Sequence, residues 1–169
     1  PTFLNQSTFF ATLFALTILV SYLVINGPGL VVQWQYATGH RPDSRPIETE
    51  TSLEIPKIGT RAPIILAEES QKDNLSPLLL NGVVHYPDTA LPGESGNCVY
   101  IGHSSNYWWQ KSDFNYVFAL IGKLAPGDKI IISHFSHIFS YTVSEIRTSP
   151  KNLVELFTET DGADPTLTL

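Results

Sequence analysis

A chain of 169 residues has room for one ordinary domain and an appendage. Its 43% hydrophobic content suits a globular protein, but many of the apolar residues crowd into the first 32 positions. A net charge of −6 and the absence of any basic run argue against a nucleic-acid partner. The single cysteine, Cys98, leaves these residues without an internal disulfide or a cysteine-built zinc cluster.

Residues 3–25 contain no Asp, Glu, Lys or Arg. As a helix this run is about 35 Å long, enough to cross the hydrocarbon core of a bilayer. A soluble domain of this size would struggle to surround so long an apolar helix, and no small-x-small cleavage site follows Ile25. A retained transmembrane anchor is therefore expected, with Asn26-Gly27-Pro28-Gly29 breaking or kinking the helix. No Lys or Arg precedes the span, and Arg41 and Arg45 come after it at a distance. Taken alone, that pattern favours the cytoplasmic side for the residues C-terminal to the span. Residues 30–36 read as an amphipathic extension at the membrane surface, with Trp34 and Tyr36 at headgroup level. The anchor unit is thus 1–37. A linker with Pro42, Pro46 and mixed charge occupies 38–52 and includes His40.

From Leu53 the pattern changes to short strands and turns. Strands are predicted at 53–55, 62–66, 83–86, 98–101, 129–133 and 138–146, with another beginning at Leu167. Short helices are predicted within 71–81 and over 113–121, the second capped by Ser112 or Asp113. Residues 87–97 form a loop of turn formers, and 135–137 a hairpin turn flanked by His134 and His137. Closely spaced strands with few helices predict a mainly β fold, a closed or nearly closed barrel over 53–169.

The histidines sort by context. His134 and His137 lack a carboxylate cluster, so no metal site is expected, and no acidic cluster suggests calcium. His103 ends an apolar strand directly after Gly102, where a polar group is both rigidly placed and reachable. On this reading alone, a structural role for it stands beside a catalytic one. Cys98 lies five positions before His103, about 16 Å along an extended strand and on the opposite face. That separation removes it as a thiol partner for the imidazole and makes it a small buried hydrophobe.

Four uncommon elements occur in order: Ile55-Pro56-Lys57-Ile58-Gly59, Pro92-Gly93-Glu94-Ser95-Gly96-Asn97, Gly102-His103 and Leu124-Ala125-Pro126-Gly127-Asp128. Together they resemble the bacterial sortases, over nearly all of 53–169. The resemblance implies a thiol-dependent transpeptidase on an eight-stranded β-barrel, needing no cofactor, with its domain outside the cell on a single-pass bacterial membrane anchor. Its expected partners are membrane lipid, a sorting-signal peptide of the Leu-Pro-x-Thr-Gly type and an amine acceptor, either a wall precursor or a pilin lysine. His103 matches the family's catalytic histidine. The family's nucleophilic cysteine ends a Thr-Leu-x-Thr-Cys-like strand, and Thr166-Leu167-Thr168-Leu169 resembles the approach to it. That cysteine and the family's arginine are expected after Leu169, so the 169 residues alone are expected to be inactive. His85, Ser104, Tyr107 and Trp108 are candidates for a groove-lining or supporting role. The competing reading is a non-catalytic membrane-anchored β-domain that serves as a binding or scaffold module.

Overall fold

The structure, a computed structural model, describes residues 5–39, 51–107, 109–148 and 164–169. Helix α1 runs without interruption over Gln6–Ala37, through Pro28. The predicted break at 26–29 is therefore absent. Proline removes one backbone donor, yet the neighbouring turns hold, and Asn26 Nδ2 caps the Tyr22 carbonyl at 3.0 Å. No residue of α1 is buried, and large apolar side chains such as Phe14 and Ile25 face outward. By length and composition α1 could cross a membrane. Its far end touches the barrel, where Val32 and Tyr36 pack on the core. Residues 40–50, which hold His40 and most of the expected linker, lie outside the described residues.

Seven strands form one sheet: β1 (Thr51–Ile55), β2 (Thr60–Leu66), β3 (Val83–His85), β4 (Gly96–Ile101), β5 (Lys129–His134), β6 (His137–Thr142) and β7 (Pro165–Thr168). Their order is β6-β5-β1-β2-β3-β4-β7. The sheet curls into a nearly closed barrel, with seven strands among the described residues where the resemblance implied eight. β2 pairs with β3 in parallel, as does β4 with β7, and the other neighbours are antiparallel. Leu53, Ile55, Ala62, Val83 and Ile132 fill the centre with no exposed surface. Ala62 and Ile132 come from strands that alternate buried and more exposed positions, whereas β3, which carries Val83, is buried throughout. Side chains bridge toward the open side, where the Gly93 N–H donates to the Tyr141 hydroxyl at 3.0 Å. Gly93, at φ +83°, lies so close to the Phe139 ring that a Cβ would sit 2.3 Å from it.

Two of the sequence elements meet in space. Lys57 Nζ lies 2.7 Å from Asp128 Oδ2, which also accepts the Ala125 N–H at 2.6 Å. The Lys57 ammonium holds the Asp128 carboxyl below the usual carboxylate range. The turn into β5 is thus tied to the turn after β1.

Two local expectations are corrected. Residues 113–120 form turns rather than a helix. Their amides reach back three residues, as from Val117 to Phe114 and from Ala119 to Tyr116. The Phe118 N–H bonds to the His103 carbonyl instead, which breaks any four-residue ladder. The strand predicted over 138–146 ends at Thr142. The Val143 amide and carbonyl bond across the turn to Asp128 and Gly127.

Asn97 sets how β7 attaches. It is buried, and its Oδ1 accepts from Thr168 Oγ1 at 3.0 Å and Thr166 Oγ1 at 3.3 Å. One amide oxygen has two lone pairs and serves both. Asn97→Ala should destabilise the domain by about 1–3 kcal/mol in urea unfolding, because it takes the acceptor from the Thr168 hydroxyl and leaves Thr166 with the Gly96 carbonyl alone. A double change of Thr166 and Thr168 to Val should then add little to the loss. Full additivity of the three substitutions would show that the contacts do not act as a unit.

Candidate active site

β4 is buried along its middle, at Asn97, Cys98, Val99 and Tyr100. A strand covered on both faces cannot shift without disturbing the core, so its end is a fixed point. His103 follows that end, half-buried, after Ile101 and Gly102. Burial lowers the His103 pKa below the ordinary 6.5. Desolvation penalises the imidazolium, so the neutral ring dominates at pH 7. A neutral imidazole there can accept a proton, and once charged it can donate one.

β7 runs parallel to β4, with Gly96 opposite Pro165, Cys98 opposite Leu167 and Val99 opposite Thr168. The two strands therefore advance together toward the His103 end.

Cys98 is 1% exposed and points into the core beside Tyr100. Desolvation pushes its thiol up to about 11. At pH 7 the thiolate fraction is then about one in ten thousand, and it is shielded from any substrate. Cys98 is thus a core residue, as its strand position predicts.

His85 sits on β3 opposite Tyr100, with the rings edge to face at 5.5 Å. Its Nε2 faces the Ala90 carbonyl at 2.9 Å and the Thr89 hydroxyl at 3.2 Å. The carbonyl can only accept, so Nε2 carries the proton. His85 pins the start of the loop before β4 and is itself buried. Ser104 and Tyr107 are exposed beyond His103, and Trp108 lies outside the described residues. The Tyr107 ring stacks on Trp109 at 4.5 Å, with 11° between planes. His134 and His137 face each other across the β5–β6 hairpin. Among the described residues no group of three metal-binding side chains forms. Arg147 pairs with Glu145 at 2.6 Å on the surface.

Sequence reasoning missed Asn106 and Asn115. Asn106 Nδ2 donates to Asn115 Oδ1 at 2.8 Å, which ties the segment after His103 to the 113–120 turns. Nothing in the spacing of two polar residues in a loop signals that contact.

A family model for the sortase domain matches residues 53–169. Sortase D of Bacillus subtilis (strain 168) is 30% identical over 106 residues, covering 63% of this chain and 46% of that protein. A Clostridium perfringens sortase D5 transpeptidase structure is 30% identical with a TM-score of 0.52, covering 64% of this chain and 60% of that one. Sortase C-1 of Actinomyces oris has a TM-score of 0.56 at 22% identity, over 78% of this chain and 70% of that one, a likeness of fold. The chain thus spans about half the length of the curated relative it matches. It belongs to the sortase family.

Two measurements check the site's electrostatics. In an NMR pH titration, the His103 ring protons should give a midpoint below 6.5, and a midpoint above that value would contradict the burial of the ring. Ellman's reagent near neutral pH should leave Cys98 unmodified in the folded chain and label it only after denaturation. Rapid labelling of the native protein would show that the thiol is accessible.

Proposed function

We propose that the complete protein is a membrane-anchored cysteine transpeptidase. It cleaves a Leu-Pro-x-Thr-Gly-like sorting signal on surface proteins and joins the new carboxyl end to the amine of a wall precursor or a pilin lysine. His103 is its proton carrier. The reading rests on family membership, and the parallel register of β4 and β7 carries the catalytic assignment.

With Thr168 opposite Val99, the position four beyond Thr168 falls opposite His103 in the same register. If Thr168-Leu169 opens the Thr-Leu-x-Thr-Cys run of the family, its cysteine occupies that position. Strand pairing and motif spacing, which are independent of each other, thus lead to the same place. The nucleophile is then a residue beyond Leu169, joined there by the family's arginine, and not Cys98.

The reaction proceeds in two transfers. The neutral His103 ring takes the thiol proton, and the thiolate attacks the threonine carbonyl of the signal, forming a C–S bond and a tetrahedral oxyanion. Collapse breaks the Thr–Gly C–N bond as the His103 imidazolium gives its proton to the leaving amine. The acceptor amine then attacks the thioester and passes a proton to the neutral imidazole. The thiolate leaves, and a new amide has replaced the old one. Ser104, Tyr107 and Trp108, which follow His103 in the chain, are the candidates for lining the groove, and His85 is a supporting residue on β3.

The apolar, unburied α1 supports a barrel held at a membrane surface. We assign residues 1–37 to the anchor and juxtamembrane helix, 38–52 to the linker, whose last two residues already pair in β1, and 53–169 to the barrel. The anchor is single-pass and the domain faces outward, where wall precursors and surface proteins meet it.

Extended through its natural continuation, the protein should transfer a Leu-Pro-x-Thr-Gly peptide to a glycine amine. His103→Ala should slow transfer about 10²–10⁴-fold with the fold retained by circular dichroism, whereas Cys98→Ala should remain active. Peptide cleavage by the 169-residue chain on its own, or full activity of folded His103→Ala, would overturn the assignment.

A further inference from the structure

The turns at 113–121 have no role in the chemistry of the two transfers, yet they grip the chain on both sides of His103. Before it, Gly102 lies under the Phe118 ring. A Cβ on Gly102 would sit 2.7 Å from two Phe118 ring carbons and 2.8 Å from Val117 Cγ1. At His103 itself, the Phe118 N–H donates to the backbone carbonyl at 2.9 Å. After it, Asn106 is held by Asn115, a buried side chain that also donates to the Gln110 carbonyl. The Asn106 Oδ1 in turn accepts the Tyr107 N–H at 2.8 Å.

The gripping segment is itself fixed. Val117, Phe118 and Leu120 are buried in the core. Thr60 Oγ1 donates to the Val117 carbonyl at 3.1 Å, and Ser112 Oγ donates to the Leu80 carbonyl. Such an arrangement costs the segment its helix, as the diverted Phe118 amide shows. A chain that gives up regular hydrogen bonding to reach one carbonyl has that contact as its structural outcome.

We propose that Val117 and Phe118 are positioning residues for His103, with Gly102 as the contact that lets them seat and the Asn115–Asn106 bond as the second clamp. They touch no substrate. They set where the imidazole stands relative to the end of β7 and how far it is withdrawn from water. Acyl transfer needs the proton carrier within hydrogen-bond reach of both the sulfur and the amine, so displacement by an ångström is costly. The catalytic consequence rests on the role proposed for His103, whereas the positioning itself does not.

Gly102→Ala tests this directly, because one added methyl must push Phe118 and Val117 aside. In the 169-residue chain, hydrogen exchange at the Phe118 amide should accelerate about tenfold or more as the His103 carbonyl bond opens. The His103 titration midpoint should rise toward 6.5 as the ring gains water. In the extended protein, kcat should fall about tenfold to a hundredfold with KM little changed. Gly122→Ala is the control, since a Cβ there meets nothing within 4 Å, and it should move none of these readouts. Should Gly102→Ala fail to fold, Asn106→Ala removes the second clamp from outside the core and should shift the same readouts in the same direction. A folded Gly102→Ala with unchanged Phe118 exchange and an unchanged His103 midpoint overturns the proposal. If those two shift while His103→Ala leaves transfer intact, positioning stands and the catalytic reading of His103 falls.

Discussion

The parallel pairing of β4 with β7 is the constraint on which the site depends. β4 carries His103 at its end, and β7 brings the chain's last described residues alongside. The two strands are far apart in sequence, so only tertiary contacts can set their register. Asn97 supplies those contacts by accepting from two threonines of β7. Slippage by one residue would turn Thr166 and Thr168 away from Asn97 and send Leu167 out of the core, where it now packs beside Cys98. A buried polar partner and an apolar neighbour thus specify the same alignment.

That alignment explains why one barrel end can hold two chemically different environments. On the inward face of β4, Cys98 is sealed from water and its thiol pushed to about 11. At the strand's end, His103 is only partly withdrawn, enough to favour the neutral ring and not enough to hide it. A buried thiol without a cationic neighbour is inert, and a reachable imidazole is not. A sealed thiol and a partly exposed imidazole thus lie five positions apart, one within β4 and one just past its end.

Legibility in the sequence followed the range of the interactions. Strands showed through short apolar or alternating runs between turn formers, and α1 through its uncharged run, because both signals are local. α1 continues past Pro28 because a missing donor is tolerated where neighbouring turns hold, and its last turns gain contacts from Val32 and Tyr36 on the barrel. The 113–121 run has helical composition, yet a single bond from Phe118 to His103, fifteen residues earlier, overrides it. His103 stood out as a polar residue ending an apolar strand, and the resemblance gave it a role. The reason for Gly102 was invisible, since it lies in the Phe118 ring above it. Lys57 and Asp128 were noticed as parts of separate elements, while their contact spans 71 residues.

The end of α1 and the His103 end of β4 lie at the same end of the barrel. β1 ends at Ile55, and the turn after it brings Lys57, Ile58 and Gly59 to a cavity of ≈ 520 Å³ shared with Val32, Gln35 and Tyr36 of α1. Val117 lines that cavity and also covers Gly102, so one side chain touches both regions. Twelve residues of α1 follow Ile25, an extension of about 18 Å beyond a twenty-residue span. On the proposed function this geometry sets the barrel near the bilayer with its His103 end on the side of the anchor. A sorting signal still attached to a membrane-held precursor would arrive from that side. Two tethered partners meet at an effective concentration set by their tethers rather than by bulk diffusion. The packing of Val32 and Tyr36 on the barrel would then aid the encounter by limiting how far the site can turn away from the membrane surface.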